Sequence, residues 1–389
     1  IPKIHTTYGL SPTRRFYRRM FFWVYLYLFK QLKGKYMRKT ITAVVISFFM
    51  TVSAIAADYT IYLPTKPGSG LDQWAQVVIK ELKKHIDGDV KSVHIPGARH
   101  RLGMNKWEKE NRFLDGAVTV TGGTTTVNTL VVSGVEYDYR NWDAIGVQLL
   151  DIFVGKRKDW NPTDGGMVFG NDHAAGDTTG MILMYCGNLD GKIESYKKCV
   201  EEDMTYVKGV NDKQGTLMFA RGEFNVFRGN PTAWTKKISK FEQGELWFTQ
   251  GVYDPIEKKI VTNPNAKGYD FDTVFFNTWG EAPKGELYDA YRLVQFQNDS
   301  LQKGLWVNKD APHRDALVKA LKKMLADPES RAIIAKASGG DYQWAIGEQA
   351  DQIVLDQRKQ YTEKKLQDLV WWFNNIFGWK AEFKPELLK

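Results

Sequence analysis

Tyr59-Thr60-Ile61-Tyr62-Leu63-Pro64-Thr65-Lys66-Pro67-Gly68-Ser69-Gly70-Leu71-Asp72 is the stretch whose reading decides the fold. Its first five residues are β-branched, aromatic or aliphatic and predict a strand; Pro and Gly then break it. Apolar residues return at Leu71, Trp74, Ala75, Val78, Leu82 and Ile86, the spacing of one helix face. Val90 to Ile95 predicts the next strand, about Gly103 to Phe113 a helix, Ala117 to Thr121 a third strand, and a helix starts near Thr124. This βαβαβ order calls for a parallel sheet with covering helices.

Working outward, Asp143 to Val154 is expected to leave this unit as a strand, and the charged, Pro- and Gly-containing stretch Lys156 to Gly166 to cross into a second unit. That unit is predicted to hold strands at Gly166–Gly170, Met204–Val207, Phe224–Phe227 and Leu246–Phe248, with helices at Thr178–Tyr185 and Asn211–Ala220. Helices are expected again at Arg314–Ala326, Pro328–Ala337 and Gly347–Phe377. Asp327-Pro328 supplies a cap followed by Pro at a first helical position. No internal repeat or low-complexity segment is present. The expected architecture is two α/β lobes, residues 58–156 with 301–389 in the first and 157–300 in the second, joined by two crossovers that act as a hinge.

The formal net charge of the 389 residues is +9, but it is unevenly placed. Residues 1–57 carry ten Lys and Arg and no Asp or Glu; without them 44 basic residues face 45 acidic ones, a net charge of −1. Nucleic acid is thereby excluded as a partner on charge grounds. Met37-Arg38-Lys39, an apolar run from Ile41 to Ile55 and Ala54-Ile55-Ala56-Ala57 have the parts of a secretory signal peptide, cleaved after Ala56 or Ala57. The alternative is a membrane anchor, for which about 15 apolar residues are short against the ~20 of a span. Residues 37–57 are therefore expected to be a signal peptide. Residues 1–36, with a second apolar run at Met20–Phe29, are expected to be an upstream extension ahead of a true start at Met37, the alternative being an N-terminal membrane hairpin. In an oxidising compartment Cys186 and Cys199, which close a short loop, are expected to be bridged; a metal site is the weaker reading, because two thiols lack further ligands at zinc spacing.

Three loops carry the chemistry. Pro64 to Asp72 joins a strand to a helix, so its backbone N–H groups and the helix dipole suit a carboxylate or phosphate; an ordinary turn is the plain alternative. It is neither a Walker loop nor a dinucleotide fingerprint. Thr121-Gly122-Gly123-Thr124-Thr125-Thr126 stands in the same topological place, and Gly170 to Gly180, with Gly176-Asp177-Thr178-Thr179 in it, repeats the theme in the second unit. Small, hydroxyl-rich loops at the carboxyl ends of strands are where open α/β sheets bind ligands; the alternative is that Thr124 and Thr178 only cap helices. No Gly-x-Ser-x-Gly elbow, His-Glu-x-x-His pair or assembled nucleophile and base is found, so no enzyme, metal or cofactor is expected.

These residues resemble the substrate-binding receptors of tripartite tricarboxylate transporters, the Bug proteins, over nearly the whole chain after residue 57. Pro67-Gly68-Ser69-Gly70-Leu71-Asp72 is similar to that family's Pro-x-Gly-Gly-x-x-Asp, Pro96-Gly97-Ala98 with Gly103 to its Pro-Gly-Ala-Gly-Gly, and Asp115-Gly116 to its Asp-Gly before a strand. Tyr137-Asp138-Tyr139 with Trp142, Val207-Lys208-Gly209, Gly222 to Phe227 with Pro231-Thr232-Ala233, and Leu325 to Arg331 follow in the family's order. The resemblance implies a type II, flytrap periplasmic binding protein that is monomeric. It would hold a small organic anion in an interlobe cleft and hand it to integral-membrane transporter subunits; a sensor loading a membrane signalling protein is the alternative. It also implies a cleft lined by Pro67, Gly68, Ser69, Gly70 and Asp72, by Thr121, Gly122 and Thr124, by Gly176, Asp177, Thr178 and Thr179, and by Arg228. The chain departs from the pattern at Arg99-His100-Arg101, where the family has Gly-Gly; Arg99 is taken as a further anion contact, the alternative being a solvated loop. Asn225 stands where the family has Asp. The stretches Cys186–Cys199 and Tyr253–Asp272 are longer than in the family, which leaves the ligand unidentified.

Overall fold

In a computed structural model of the chain, which describes residues 58–171, 176–210 and 212–388, the deciding stretch forms strand β1 (Tyr59–Leu63) and the helix Gly70–Leu82. The expected signal peptide at 37–57, the extension at 1–36 and His173 lie outside the described residues. Strands β2 (Val90–His94), β3 (Ala117–Gly122) and β4 (Trp142–Gln148) follow. After them come β5 (Phe153–Arg157), β6 (Met167–Asn171), β7 (Met204–Lys208), β8 (Val226–Gly229), β9 (Gly244–Thr249), β10 (Val252–Asp254) and β11 (Lys259–Val261). The chain then returns with β12 (Lys303–Asn308) and β13 (Trp344–Ile346).

β13-β4-β12-β3-β1-β2 make one six-stranded sheet. β1, β2 and β3 are parallel as the βαβαβ order requires, whereas β12 runs antiparallel between β3 and β4, so the sheet is mixed. The helix Gly70–Leu82 buries Leu71, Trp74, Ala75, Val78 and Leu82 on one face of this sheet, against Ile61, Leu63, Val120 and Leu305. Each large side chain so buried stabilises by about 1.5–3 kcal/mol. The opposite face carries an aromatic core, with Trp142 edge-on to both Trp107 and Trp306.

The remaining strands form β8-β5-β9, β6-β7 and the hairpin β10-β11. The crossing into them differs from the expectation. Residues 143–154 are two strands in two sheets, and the chain changes sheet at Leu149–Ile152, not at 156–166. All four crossing residues are buried, so no exposed position marks the break. Residues 347–377 are likewise two helices, Glu348–Arg358 and Glu363–Phe377, the second capped by Thr362, whose hydroxyl accepts from the Lys365 amide. This last helix, expected with the first lobe, packs Trp372, Phe373 and Phe377 in one cluster with Val127, Leu130 and Val131 of the helix Gly123–Val131 and with Phe169, Met181 and Tyr196 of the second group of elements. An aromatic face of that width needs a matching apolar surface, which the helix Gly176–Cys186 supplies. Cys186 and Cys199 are joined in a disulfide. No helix among the described residues is long and apolar enough to cross a membrane.

Asp151, fully buried in the crossing, ties the segment down: Oδ1 accepts from the amides of Ile152 (2.6 Å) and Gly251 (2.9 Å), and Oδ2 from Asn263 Nδ2 (2.8 Å). Burial pushes its carboxyl up to about 7, outweighing these donors, from an ordinary 3.8. The folded chain therefore holds this proton where the unfolded chain has lost it, and the stabilisation is present at low pH and lost as pH rises through about 7. Between those values stability is expected to fall by up to about 1.4 kcal/mol per pH unit from this group. Asp151→Asn is expected to flatten that slope in urea titrations run from pH 4 to pH 8; an unchanged slope would place the effect elsewhere.

Candidate functional site

The carboxyl ends of β1 and β3 lie side by side in the six-stranded sheet, and the loops that follow them meet there. After Leu63 the chain turns through Gly68, whose φ of +78° suits a residue without Cβ. Ser69 caps the helix Gly70–Leu82: its Oγ accepts from the Asp72 amide (3.2 Å) and shares a hydrogen bond with Thr65 Oγ1 (2.7 Å). Asp72 closes the loop from inside, Oδ2 accepting from the Gly68 amide (2.7 Å) and Oδ1 lying 2.8 Å from His94 Nε2 and 3.0 Å from Gln76 Nε2. Burial would raise this carboxyl, but the Gly68, His94 and Gln76 contacts hold it below its ordinary value. Asp72 is thus an internal clamp that takes the Gly68 amide for itself. The first-turn amides of Gly70 and Leu71 have no partner within the helix.

The Gly122–Thr124 loop is built alike. Gly122 caps the helix Gly123–Val131, its amide donating to Thr125 Oγ1 (3.1 Å), and Thr124 is half-buried in the first turn. Thr121 is fully buried and its hydroxyl accepts from Trp306 Nε1 (2.7 Å), so its side chain serves the core. In the second group the helix Gly176–Cys186 opens with buried Thr178 and Thr179, and Thr179 Oγ1 accepts from Trp372 Nε1 (3.0 Å). The side chain of Asp177 lies outside the described residues. Arg228 is half-buried on β8 opposite Val154. Just beyond it, Asn230 Nδ2 lies 3.8 Å from where a Gly70 side chain would begin, which brings the end of β8 up to the first loop.

Arg99 is exposed, and its guanidinium sits over Trp379 at 5.0 Å. Ala98, Arg99 and His100 all have φ between 44° and 72°, a left-handed turn. Such residues cost about 1–2 kcal/mol each. Asn128 Nδ2 donating to the Arg99 carbonyl (3.0 Å) and Arg101 Nη1 donating to the Ser133 carbonyl (2.8 Å) help to hold them.

Sequence reasoning passed over residues that the fold brings to the same edge. Lys303, at the start of β12, pairs with Gly122 on one side and Gln148 on the other. Gln148 Oε1 accepts from Trp74 Nε1 and from Ser338 Oγ, each at 2.8 Å, and Trp74 stacks on Trp344 at 5.9 Å. The available signal was an unbroken polar run at the end of a helix, Gln297-Asn298-Asp299-Ser300, followed after Leu301 by Gln302-Lys303, all of which folding buries. An open depression of about 280 Å³ lies elsewhere, lined by Gln250, Lys259, Asp270 and Arg292 among others; it includes none of the loop residues above. Among the described residues no cluster of His, Cys, Asp and Glu could hold a metal ion.

No protein-family model matches the sequence, and no curated protein matches it. Solved structures do. A protein of R. palustris solved with adipate superposes with a TM-score of 0.51 at 11% identity, over 80% of this chain and 96% of that one. BugD, a periplasmic binding protein, gives 0.49 at 12% identity over 82% and 97%. MatC from Rhodopseudomonas palustris, solved with malate, gives 0.47 at 12% over 85% and 99%. At such identities the likeness is one of architecture: the chain shares the mixed α/β fold of the R. palustris protein solved with adipate.

Proposed function

We propose that this chain is a periplasmic solute-binding receptor that captures a small carboxylate between its lobes and delivers it to integral-membrane transporter subunits, as the resemblance to the tripartite tricarboxylate receptors implies. One observation carries the reading: the Gly70 and Leu71 amides and the helix start at Gly122–Thr124 lie at one end of the sheet, with Asn230 of the other group opposite. Helix N-termini favour an oxyanion. In this reading the first lobe is built on the six-stranded sheet and the second on β5 to β11, with Leu149–Ile152 as one strand of the hinge. A ligand touching both lobes shifts the population toward the closed form. Export by a cleaved signal peptide and action as a monomer without cofactor complete the proposal.

The test is a thermal-shift screen of the secreted protein against small mono-, di- and tricarboxylates. A ligand present at a hundred times its Kd adds about 2.7 kcal/mol to stability, so a rise of roughly 4 °C is expected for the right class in a chain of this size. No shift with any organic acid would reject the receptor reading.

A further inference from the structure

The open depression of about 280 Å³ lies between the β10-β11 hairpin, the start of the helix Phe271–Trp279 and the helix Glu286–Ser300, which carries Arg292. Ile260, Val261 and Phe271 make part of its wall apolar. Glu257 and Lys259 also line it, but they pair with each other (2.6 Å) and cancel. The charges left are Arg292 on one helix and Asp270 and Asp272 at the start of the other. Arg292 is half-buried and held in place: its Nη1 donates to Gln295 Oε1 (2.8 Å), and Gln295, fully buried, donates in turn to the Gln250 carbonyl. Its guanidinium carbon lies 5.9 Å from the Tyr288 ring centre. Gln295 takes Nη1 and leaves the Nε–Nη2 edge of the fork, from which an arginine can hold a carboxylate through two parallel bonds.

A cation taken partly out of water is costly without a partner, yet among the described residues no carboxylate pairs with Arg292. The acids are held separately. Asp270 Oδ1 accepts from the Thr273 amide (3.0 Å) and caps its helix, and Asp272 Oδ1 accepts from the Tyr288 hydroxyl (3.0 Å). Each carboxylate keeps a second oxygen, and no Lys or Arg among the described residues pairs with either. Tyr288 touches both signs, its ring near Arg292 and its hydroxyl on Asp272. Opposite charges that line one depression without meeting are complemented by a ligand that carries both.

We propose that this depression binds a free α-amino acid with an apolar side chain, at a site separate from the helix starts at Gly70 and Gly123. The α-carboxylate lies on the Nε–Nη2 edge of Arg292, the ammonium between Asp270 and Asp272, and the side chain against Ile260 and Val261. An ammonium has three donors and so can meet both acids. Charge-assisted hydrogen bonds at both ends make the two charges together the basis of recognition. The site is independent of the receptor reading.

The experiment is calorimetric titration of the full secreted protein with L-alanine, L-valine and L-leucine, and with 4-methylpentanoate and 3-methylbutylamine, which keep the leucine side chain and one charge each. Wild type is expected to bind L-leucine with a Kd below about 1 mM, and at least about 30-fold more tightly than either one-charge analogue. Arg292→Met is expected to weaken L-leucine by at least about 30-fold and to leave 3-methylbutylamine unchanged. Asp270→Asn supplies a second arm if Arg292→Met does not fold. Asn caps a helix as well as Asp does, so the fold is kept, the charge alone is lost, and L-leucine is expected to weaken by about tenfold. L-Leucine affinity untouched by both substitutions, L-leucine bound no better than its analogues, or binding of none of the three amino acids by wild type overturns the site, and each of these results leaves the receptor reading standing.

Discussion

Gly70→Asp is expected to weaken binding of small carboxylates by roughly three powers of ten while the melting temperature stays level or rises. Gly70 is the first residue of its helix, is exposed, and has open space around it: an added Cβ would meet Asn230 Nδ2 at 3.8 Å, an ordinary contact. An aspartate there favours folding, since acids in a first turn stabilise a helix by about 0.3–1 kcal/mol. The same carboxylate would stand where the solute's anionic head is proposed to lie. Two like charges about 4 Å apart near a protein surface repel by about 4 kcal/mol, which is the stated loss of affinity. Calorimetry and a thermal melt on the same preparation check it. Retained affinity in a folded Gly70→Asp protein would mean that the solute does not use this helix start.

The second large effect is expected at Gly339, which ends the helix Pro328–Ser338 with φ +79°. A Cβ there would lie 2.4 Å from the Pro231 carbonyl carbon and 2.5 Å from the Thr232 amide, both backbone atoms of the helix Pro231–Lys236 that follows β8. Beside it Thr232 Oγ1 donates to the Ala337 carbonyl (2.7 Å). Gly339→Ala carries about 1–2 kcal/mol for the left-handed conformation and about 1–3 kcal/mol for the overlap. If these helices meet only when the lobes close, opening relieves the overlap but not the backbone cost. Carboxylate affinity is then expected to fall by at least tenfold, while urea unfolding registers a loss of only about 1–2 kcal/mol. A stability loss equal to the whole penalty with unchanged affinity would show that the contact takes no part in closure.

Much of the fold could be read without coordinates because its signals are local. The Leu71-Trp74-Val78-Leu82 face and the alternation of strand and helix through residue 131 depend on spacings within one element, and Asp327-Pro328 marks a helix start by itself. The errors fall where partners are distant. β12 enters the sheet antiparallel from some 180 residues away, and nothing in Lys303–Asn308 states its direction. Residues 143–154 read as one strand because both strands and the crossing are buried, leaving no exposed position to mark the change of sheet. The surroundings of the C-terminal helix, which packs with elements of both groups, could not be read either, because an apolar stripe shows that a helix is buried but not against what.

Sequence alone determined the order of elements through residue 131, the placing of small polar loops after strands, and the pairing of two cysteines thirteen residues apart. Tertiary structure decided which groups in those loops are still available. Trp306 engages the Thr121 hydroxyl across 185 residues, Trp372 engages Thr179 across 193, and His94 braces the Asp72 that withdraws the Gly68 amide. It also brought Lys303 and Gln148 together beside Gly122. The physical reason is one of range. Backbone conformation follows from neighbours a few residues away, whereas the partner of a buried polar atom is chosen by packing among elements that meet only once the chain has folded.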